Sequence, residues 1–285
     1  MDRLTVTDEW LEALNDKFLK KNIPPKQRPW MALGEWSLFI GRLPIHWNDP
    51  DSRKILDWFE RRYPGSQQIG PMFQGAFYFD GSFWPVFIPI AFGHFALDAF
   101  ECLKTMPEAT KAALNSDRES FPLYINLWVD CVDYGYGLDG QIHPSQNDTF
   151  CVELFRSGAN ELDAAVSMLL GRNPNPKSIE YARMATEMFL KAFLAAKAGL
   201  SQSEAQDLGH RLERAATKCL AVQNNADLEY ISSAVTVFPS IKERYEGKTR
   251  TPIELWKAYS LAQFTGATII RLLNGRDSRP DIKID

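Results

Sequence analysis

The sequence predicts a mainly α-helical protein of two domains, the first of which also contains a β-hairpin. Apolar residues recur at helical spacing through most of the second half. Two aromatic-rich segments flank Asp80–Gly81, a dipeptide that favours a two-residue hairpin turn. Residues 141–148 follow a glycine-rich stretch and are typical of a linker. We therefore predict an α+β domain over residues 1–147 and an antiparallel five-helix bundle over residues 148–285.

The first domain begins with helices that have clear start and stop signals. Thr7 is a candidate N-cap for the first helix, and Pro24–Pro25 ends it. Pro85 and Pro89 predict that the second hairpin strand lies at a sheet edge or is partly irregular, because proline has no N–H to donate. The predicted elements are helices over residues 8–21, 29–40 and 50–63, strands over residues 72–79 and 82–90, and helices over residues 92–103 and 121–134.

The pattern of the second domain indicates helices throughout. Asp148 or Asn147 is a candidate cap for the first of them, and Asn175–Pro176 is predicted to open a long alanine-rich helix. Two segments have the form of a capping box, Ser201–Glu204 and Thr251–Glu254, and each predicts a helix start. The remaining predicted signals are an N-cap at Asp227, a kink at Pro239 and helix ends at Gly171, Gly199 and Gly275.

The composition is that of a globular cytoplasmic protein. Hydrophobic residues make up 45% of the chain, which is enough for a sizeable core. The four cysteines are widely spaced, and this favours reduced thiols over a disulfide framework or a zinc site. The first residues lack a signal-peptide pattern, and prolines interrupt the most apolar run, Phe83–Phe100, so we expect no membrane span. A net charge of -4 does not demand a nucleic-acid partner.

A set of residues in the second half resembles the HEPN family of helical bundles. The resemblance rests on an alanine-rich helix with Arg183, Glu187 and Leu190–Leu194, followed by Gly209–Leu212, which contains His210. The segment from Phe238 through Arg244–Tyr245 to Thr251–Pro252 is similar to the stretch before the last helix of that family. The resemblance covers roughly residues 148–275. It implies a bundle that dimerises and binds RNA, a nucleotide or a partner protein, in stress response or phage defence.

Catalytic members of the family are metal-independent ribonucleases with an arginine four to six residues before a histidine. In that chemistry the arginine offsets phosphate charge and the histidine moves a proton. This chain departs from the pattern, because none of its histidines has an arginine at that spacing before it; they are His46, His94, His143 and His210. No catalytic residue is therefore assigned. We predict a non-catalytic binding or interaction module, and the alternative is a ribonuclease whose histidine, His143 or His210, lies elsewhere in the chain.

Six residues are candidates for ligand binding. The first group, Arg183, Glu187 and His210, is predicted to line a pocket of the bundle or to form structural contacts. The second group is a cationic segment before a helix N-terminus, where free N–H groups favour anions. It offers a phosphate site, or else it is a solvated loop paired with neighbouring glutamates. The residues of this second group are Arg244, Lys248 and Arg250.

The first domain offers weaker candidates. His94, Asp98 and Glu101 share one helical face, a spacing able to hold a metal, but no second ligand group accompanies them and a polar helix face is favoured. His94 and Asp98 are also the acid and base of a third hypothesis, a small-molecule enzyme. The aromatic hairpin is interpreted as core, with base stacking as the alternative. The sequence predicts no metal and no cofactor, and it predicts a homodimer formed through the helical bundle.

Overall fold

A computed structural model describes residues 5–41, 49–66, 70–90, 97–142, 148–239 and 249–282. These residues form eleven α-helices and one two-stranded antiparallel sheet, so the predicted mainly helical class is confirmed. The chain divides into two compact units, residues 1–70 and residues 71–285. Among the helices of the described residues, none combines the length and apolar character that crossing a bilayer requires.

The first unit contains three amphipathic helices, α1 (Asp8–Lys20), α2 (Arg28–Ile40) and α3 (Pro50–Arg62). Thr7 caps α1 as the sequence predicts, because its hydroxyl accepts a hydrogen bond from the Trp10 N–H. The apolar stripes of the helices enclose a small core of their own; its fully buried members include Leu11, Phe18, Leu33, Ile55 and Phe59.

The second unit begins with the hairpin, formed by β1 (Phe73–Phe79) and β2 (Ser82–Ile88). Phe79 pairs with Ser82, so Asp80–Gly81 is the two-residue turn that the sequence predicts. Both turn residues have positive φ, as a turn that follows the twist of the strands requires. The predicted helix over residues 92–103 lies partly outside the described residues, and its described part contains only a short 3-10 helix, Phe100–Cys102.

Two helices follow the hairpin, α4 (Glu108–Ser116) and α5 (Ser120–Ile142). α5 runs eight residues beyond its predicted end at Tyr134 and includes the glycine-rich stretch. These glycines do not form a turn; they allow α5 to pack closely against β1 and against the helix that contains Ile270. A Cβ at Gly135 would lie 2.9 Å from Phe73 Cβ, and a Cβ at Gly137 would overlap Ile270.

Six helices make up the rest of the second unit. Their bounds are α6 (Thr149–Leu169), α7 (Ser178–Ala198), α8 (Gln202–Leu208), α9 (Leu212–Val222), α10 (Ala226–Ala234) and α11 (Pro252–Asn274). Both predicted capping boxes are present, at Ser201–Glu204 and Thr251–Glu254. Two predicted starts differ: α7 begins at Ser178 and not at Pro176, and Asn225 caps α10 in place of Asp227.

Contacts between these helices give the unit its arrangement. α6 and α7 run antiparallel, since Cys151 contacts Ala192 and Gly158 lies against Phe189. In contrast, the contacts between α7 and α9 advance in the same direction along both helices, from Arg183–His210 to Leu190–Cys219. This pair therefore departs from the antiparallel order that the sequence predicts.

The hairpin and α5 belong with the later helices. Tyr259 on α11 accepts a hydrogen bond from the Ala76 N–H of β1 at 3.1 Å, and Arg271 forms ion pairs with Asp130 and Asp133 on α5. The boundary between the compact units therefore lies between Gly70 and Pro71 in the chain, whereas the sequence predicts a boundary between residues 147 and 148. The composition of residues 141–148 cannot predict these contacts, because they join residues more than a hundred positions apart.

Candidate functional site

Three of the predicted ligand-binding residues meet on one face of α7. Arg183 and Glu187 are one helical turn apart, and the loop between α8 and α9 brings His210 to them. His210 Nδ1 lies 3.0 Å and 3.1 Å from the two carboxylate oxygens of Glu187. Arg183 Nη2 donates a hydrogen bond of 2.6 Å to the His210 carbonyl oxygen. The helix therefore holds the histidine through both its ring and its backbone.

Lys191 completes this cluster, although the sequence analysis does not include it among the candidate residues. Its Nζ lies 2.8 Å from Glu187 Oε1, one turn further along α7. The signal in the sequence is the Glu–Lys spacing of four residues, which favours an ion pair on a helix. We define Arg183, Glu187, Lys191 and His210 as the α7 cluster.

Charge and burial in the α7 cluster are unevenly distributed. The Glu187 side chain is 1% exposed, and the side chains of Arg183 and Lys191 are also buried. The buried carboxylate of Glu187 therefore lies between two buried cations. The His210 side chain is 58% exposed, so its ring forms the solvent-facing edge of the cluster.

The hydrogen bond to Glu187 determines which nitrogen of the His210 ring faces solvent and whether it carries a proton. A carboxylate accepts hydrogen bonds, so the arrangement assigns the proton of a neutral imidazole to Nδ1. Nε2 then carries a lone pair that accepts a proton or a hydrogen bond. Gly209, with a φ of +58°, sets the chain direction just before the histidine.

The N-terminus of α9 lies beside the α7 cluster, since Leu212 follows His210 by two residues. Its N-cap residue, Arg211, makes no side-chain capping hydrogen bond to the first turn. Arg211 and Arg214 are both exposed. The first turn thus presents backbone N–H groups next to His210 and two solvent-facing cations, and this combination favours an anion. Glu213, in the same turn, offsets part of this charge.

The second predicted group of ligand-binding residues is described only at Arg250. Arg244 and Lys248 lie outside the described residues. The Arg250 side chain is 17% exposed, and its Nη1 lies 3.6 Å from Glu254 Oε1. Glu254 also accepts hydrogen bonds from the N–H and hydroxyl of Thr251, which lower the pKa of its carboxyl group. The α11 N-terminus therefore already has a carboxylate beside it.

A second buried charged cluster, missed by the sequence analysis, joins α5 to α11. Arg271 Nη2 donates to Asp130 Oδ1 and Arg271 Nε donates to Asp133 Oδ2, both at 2.7 Å. Burial raises the pKa of Asp130 to about 7, and it outweighs the opposing effect of Arg271. Since the partners are 138 and 141 residues apart, no local spacing pattern signals this cluster.

The hairpin aromatics pack into the core of the second unit. Phe77 is buried, and its ring contacts Tyr124 and Trp256 at centroid distances of 5.0 Å and 5.3 Å. Phe73 is also buried and contacts Tyr134 edge-on. These contacts agree with the interpretation of the hairpin as core and leave these two rings unable to stack on bases.

The metal hypothesis of the first half rests on His94, Asp98 and Glu101, of which the structure describes the last two. His94 lies outside the described residues, as do His46 and His143. Asp98 Oδ1 accepts a hydrogen bond of 2.7 Å from the Phe100 N–H, which caps the short 3-10 helix. Within the part of the chain that the structure describes, there is no group of three histidine, cysteine or acidic side chains arranged to hold a metal.

Comparisons with known proteins add no relative. Neither the family models, nor the curated proteins, nor the solved structures give a significant match to this chain.

Proposed function

We propose that this protein is a non-catalytic binding module of HEPN-like type, which binds RNA or a nucleotide through a phosphate group. The site is the α7 cluster together with the first turn of α9. The observation that carries the proposal is the grouping of two buried cations, Arg183 and Lys191, on either side of Glu187, whose carboxylate contacts the exposed ring of His210. The HEPN resemblance supports it independently.

The geometry explains why a phosphate suits this place. Buried charges are weakly screened, so Arg183 and Lys191 act on an anion at the surface more strongly than exposed lysines do. Arg211 and the uncapped first turn of α9 supply hydrogen-bond donors at the same edge. Nε2 of the exposed His210 ring accepts a proton or a hydrogen bond from the ligand. By contrast, Glu254 already occupies the N-terminus of α11.

A second candidate function is a metal-independent ribonuclease, and the Glu187–His210 pair favours it. A buried carboxylate that holds Nδ1 of an exposed histidine leaves Nε2 ready to act as a general base. In that reaction Nε2 takes the proton of a ribose 2′-hydroxyl, the oxygen attacks the adjacent phosphorus, and the 5′-oxygen leaves. The cations of the site offset the charge that develops on the phosphate.

One gel experiment tests both functions. Purified protein is mixed with labelled single-stranded and structured RNA in EDTA, and both mobility shift and cleavage are scored. We expect a shift without cleavage, which weakens about tenfold or more in Arg211→Ala/Arg214→Ala and persists in Lys197→Ala, an exposed cation at the other end of α7.

Each other outcome of the gel has a definite meaning. Cleavage that is abolished by His210→Gln in a folded protein establishes the ribonuclease. A shift that is equally strong in the arginine variants and in wild type places the ligand elsewhere and contradicts the proposed site. Absence of both shift and cleavage contradicts RNA binding, and the same variants are then tested with a nucleoside triphosphate by calorimetry.

We also propose that the protein forms a homodimer through its helical bundle. Tyr230 on α10 and Ile253 at the start of α11 are large apolar side chains that stay more than half exposed. The HEPN resemblance implies the same association. Light scattering at micromolar concentration is expected to give twice the mass of one chain, and a clean monomer contradicts the dimer.

A further inference from the structure

The segment after α11 is tied to the other helices by polar contacts. We define residues 276–282 as the C-terminal clasp. The chain leaves α11 at Gly275, whose φ is +71°. Ser278 then donates to Asp133 of α5 through its backbone N–H, at 3.1 Å and 3.2 Å, and through its hydroxyl, at 2.6 Å. Arg279 Nη1 lies 2.9 Å from Asp227 Oδ2 on α10. The clasp therefore joins α5, α10 and α11.

Asp133 receives part of its hydrogen bonds from the clasp. Its side chain is fully buried, and the guanidinium that pairs with it, that of Arg271, also pairs with Asp130. A buried carboxylate is costly unless donors surround it. Ser278 supplies two such donors, so closing the clasp stabilises a negative charge that the helices alone leave poorly compensated.

The clasp itself has little apolar area to hold it closed. Residues 276, 277 and 279 to 281 are exposed, and Ile282 is the one hydrophobic residue of the clasp, packed half-buried against the core. Among the described residues, the clasp also forms ion pairs between Arg279 and both Asp277 and Asp227, and a longer one of 3.8 Å between Asp277 and Arg271. Arg276 stacks over Tyr136. A segment held in this way opens at lower free energy than the packed helices.

We propose that the C-terminal clasp is a releasable latch that controls the attachment of α10. Closed, it completes the hydrogen bonding of Asp133 and ties the first turn of α10 to α5. Open, it exposes the cluster of Asp130, Asp133 and Arg271 to water and frees the start of α10. This device is separate from the phosphate site, since it uses none of the α7 cluster residues.

Hydrogen exchange of the full chain tests the latch. Wild type is compared with Ser278→Ala, which removes the hydroxyl donor, and with Ser233→Ala as a matched control, because the Ser233 hydroxyl donates only within α10. We expect exchange in the clasp and at the start of α10 to rise about tenfold in Ser278→Ala, while α7 keeps its protection. Ser233→Ala is expected to match wild type in the clasp.

A second variant separates the two halves of the latch. Arg279→Gln removes the ion pair with Asp227 and keeps Ser278, so we expect faster exchange in α10 with the Ser278 amide still protected. The proposal is overturned if the wild-type clasp exchanges like an unfolded chain. It is also overturned if neither variant changes α10, or if α7 exchanges faster together with the clasp, because that pattern is global unfolding.

Discussion

At the scale of single residues, Asp130 makes stability depend on pH. Its pKa is raised to about 7 by burial, so between pH 4 and 7 the folded protein holds a proton that the unfolded chain releases. Stability therefore falls as pH rises through this window. Asp130→Asn cannot ionise, and we expect it to remove a decline of about 1 kcal/mol or more between pH 4 and 7.

Urea unfolding at several pH values measures this effect. Asp139→Asn is the control, since Asp139 is exposed on the same helix and its substitution is expected to leave the pH dependence unchanged. If the free energy of unfolding changed with pH equally in wild type and Asp130→Asn, Asp130 would not be the cause of the pH dependence.

Which residues become neighbours is easiest to predict from sequence where they are close along the chain. Arg183 and Glu187 are four positions apart, and the Gly–His motif pointed to His210; the structure brings all three together. The ion pairs of Arg271 with Asp130 and Asp133 were not predicted, because only the packing of α5 on α11 creates them.

At the scale of elements, the length of α5 is explained by packing and not by local propensity. Glycine disfavours a helix by about 1 kcal/mol relative to alanine, so the sequence predicts that the helix ends at Tyr134, before the glycine-rich stretch. In the structure Gly137 lies where any Cβ would overlap Ile270 of α11. Close contact between the two helices therefore selects glycine at this position.

Substitution of Gly137 tests this reading. We expect Gly137→Ala to destabilise the second unit by about 1–3 kcal/mol, because overpacking outweighs the gain in helix propensity. Denaturant unfolding measures the change. The double variant Gly137→Ala/Ile270→Ala is expected to lose less stability than the sum of the single variants, since the smaller residue relieves the overlap.

An open helical glycine provides the control for this experiment. Gly34 in α2 has no atom within 4 Å of an added Cβ, so Gly34→Ala is expected to be neutral or stabilising. Equal stability of Gly137→Ala and wild type would mean that the helices separate easily, and it would contradict the packing explanation.

At the scale of the whole molecule, the division into units was not predictable from composition. The polar residues 141–148 look like a linker, yet the hairpin and α5 on one side of them pack with α11 on the other. Helix caps, the hairpin turn and the helical class were predictable because each depends on neighbouring residues. The division between units depends on contacts between distant residues.

Fragments of the chain test the division. We expect residues 71–285 to unfold cooperatively when expressed alone, because they contain their own core and both partners of the Asp133–Arg271 pair. Residues 148–285 lack α5 and would leave Arg271 without Asp130 and Asp133, so we expect them to be unfolded or loosely packed. Circular dichroism with urea titration compares the two. Cooperative unfolding of residues 148–285 at equal stability would contradict the observed division.

The most direct test of the phosphate site is nuclear magnetic resonance of the histidine rings. Wild-type protein with labelled imidazole nitrogens is titrated with short single-stranded RNA in EDTA, and His210→Gln assigns the His210 signals. The proposed function predicts that the Nε2 signal of His210 shifts as RNA binds, while Nδ1 keeps the proton that it donates to Glu187. RNA binding that leaves the His210 ring unchanged would contradict it.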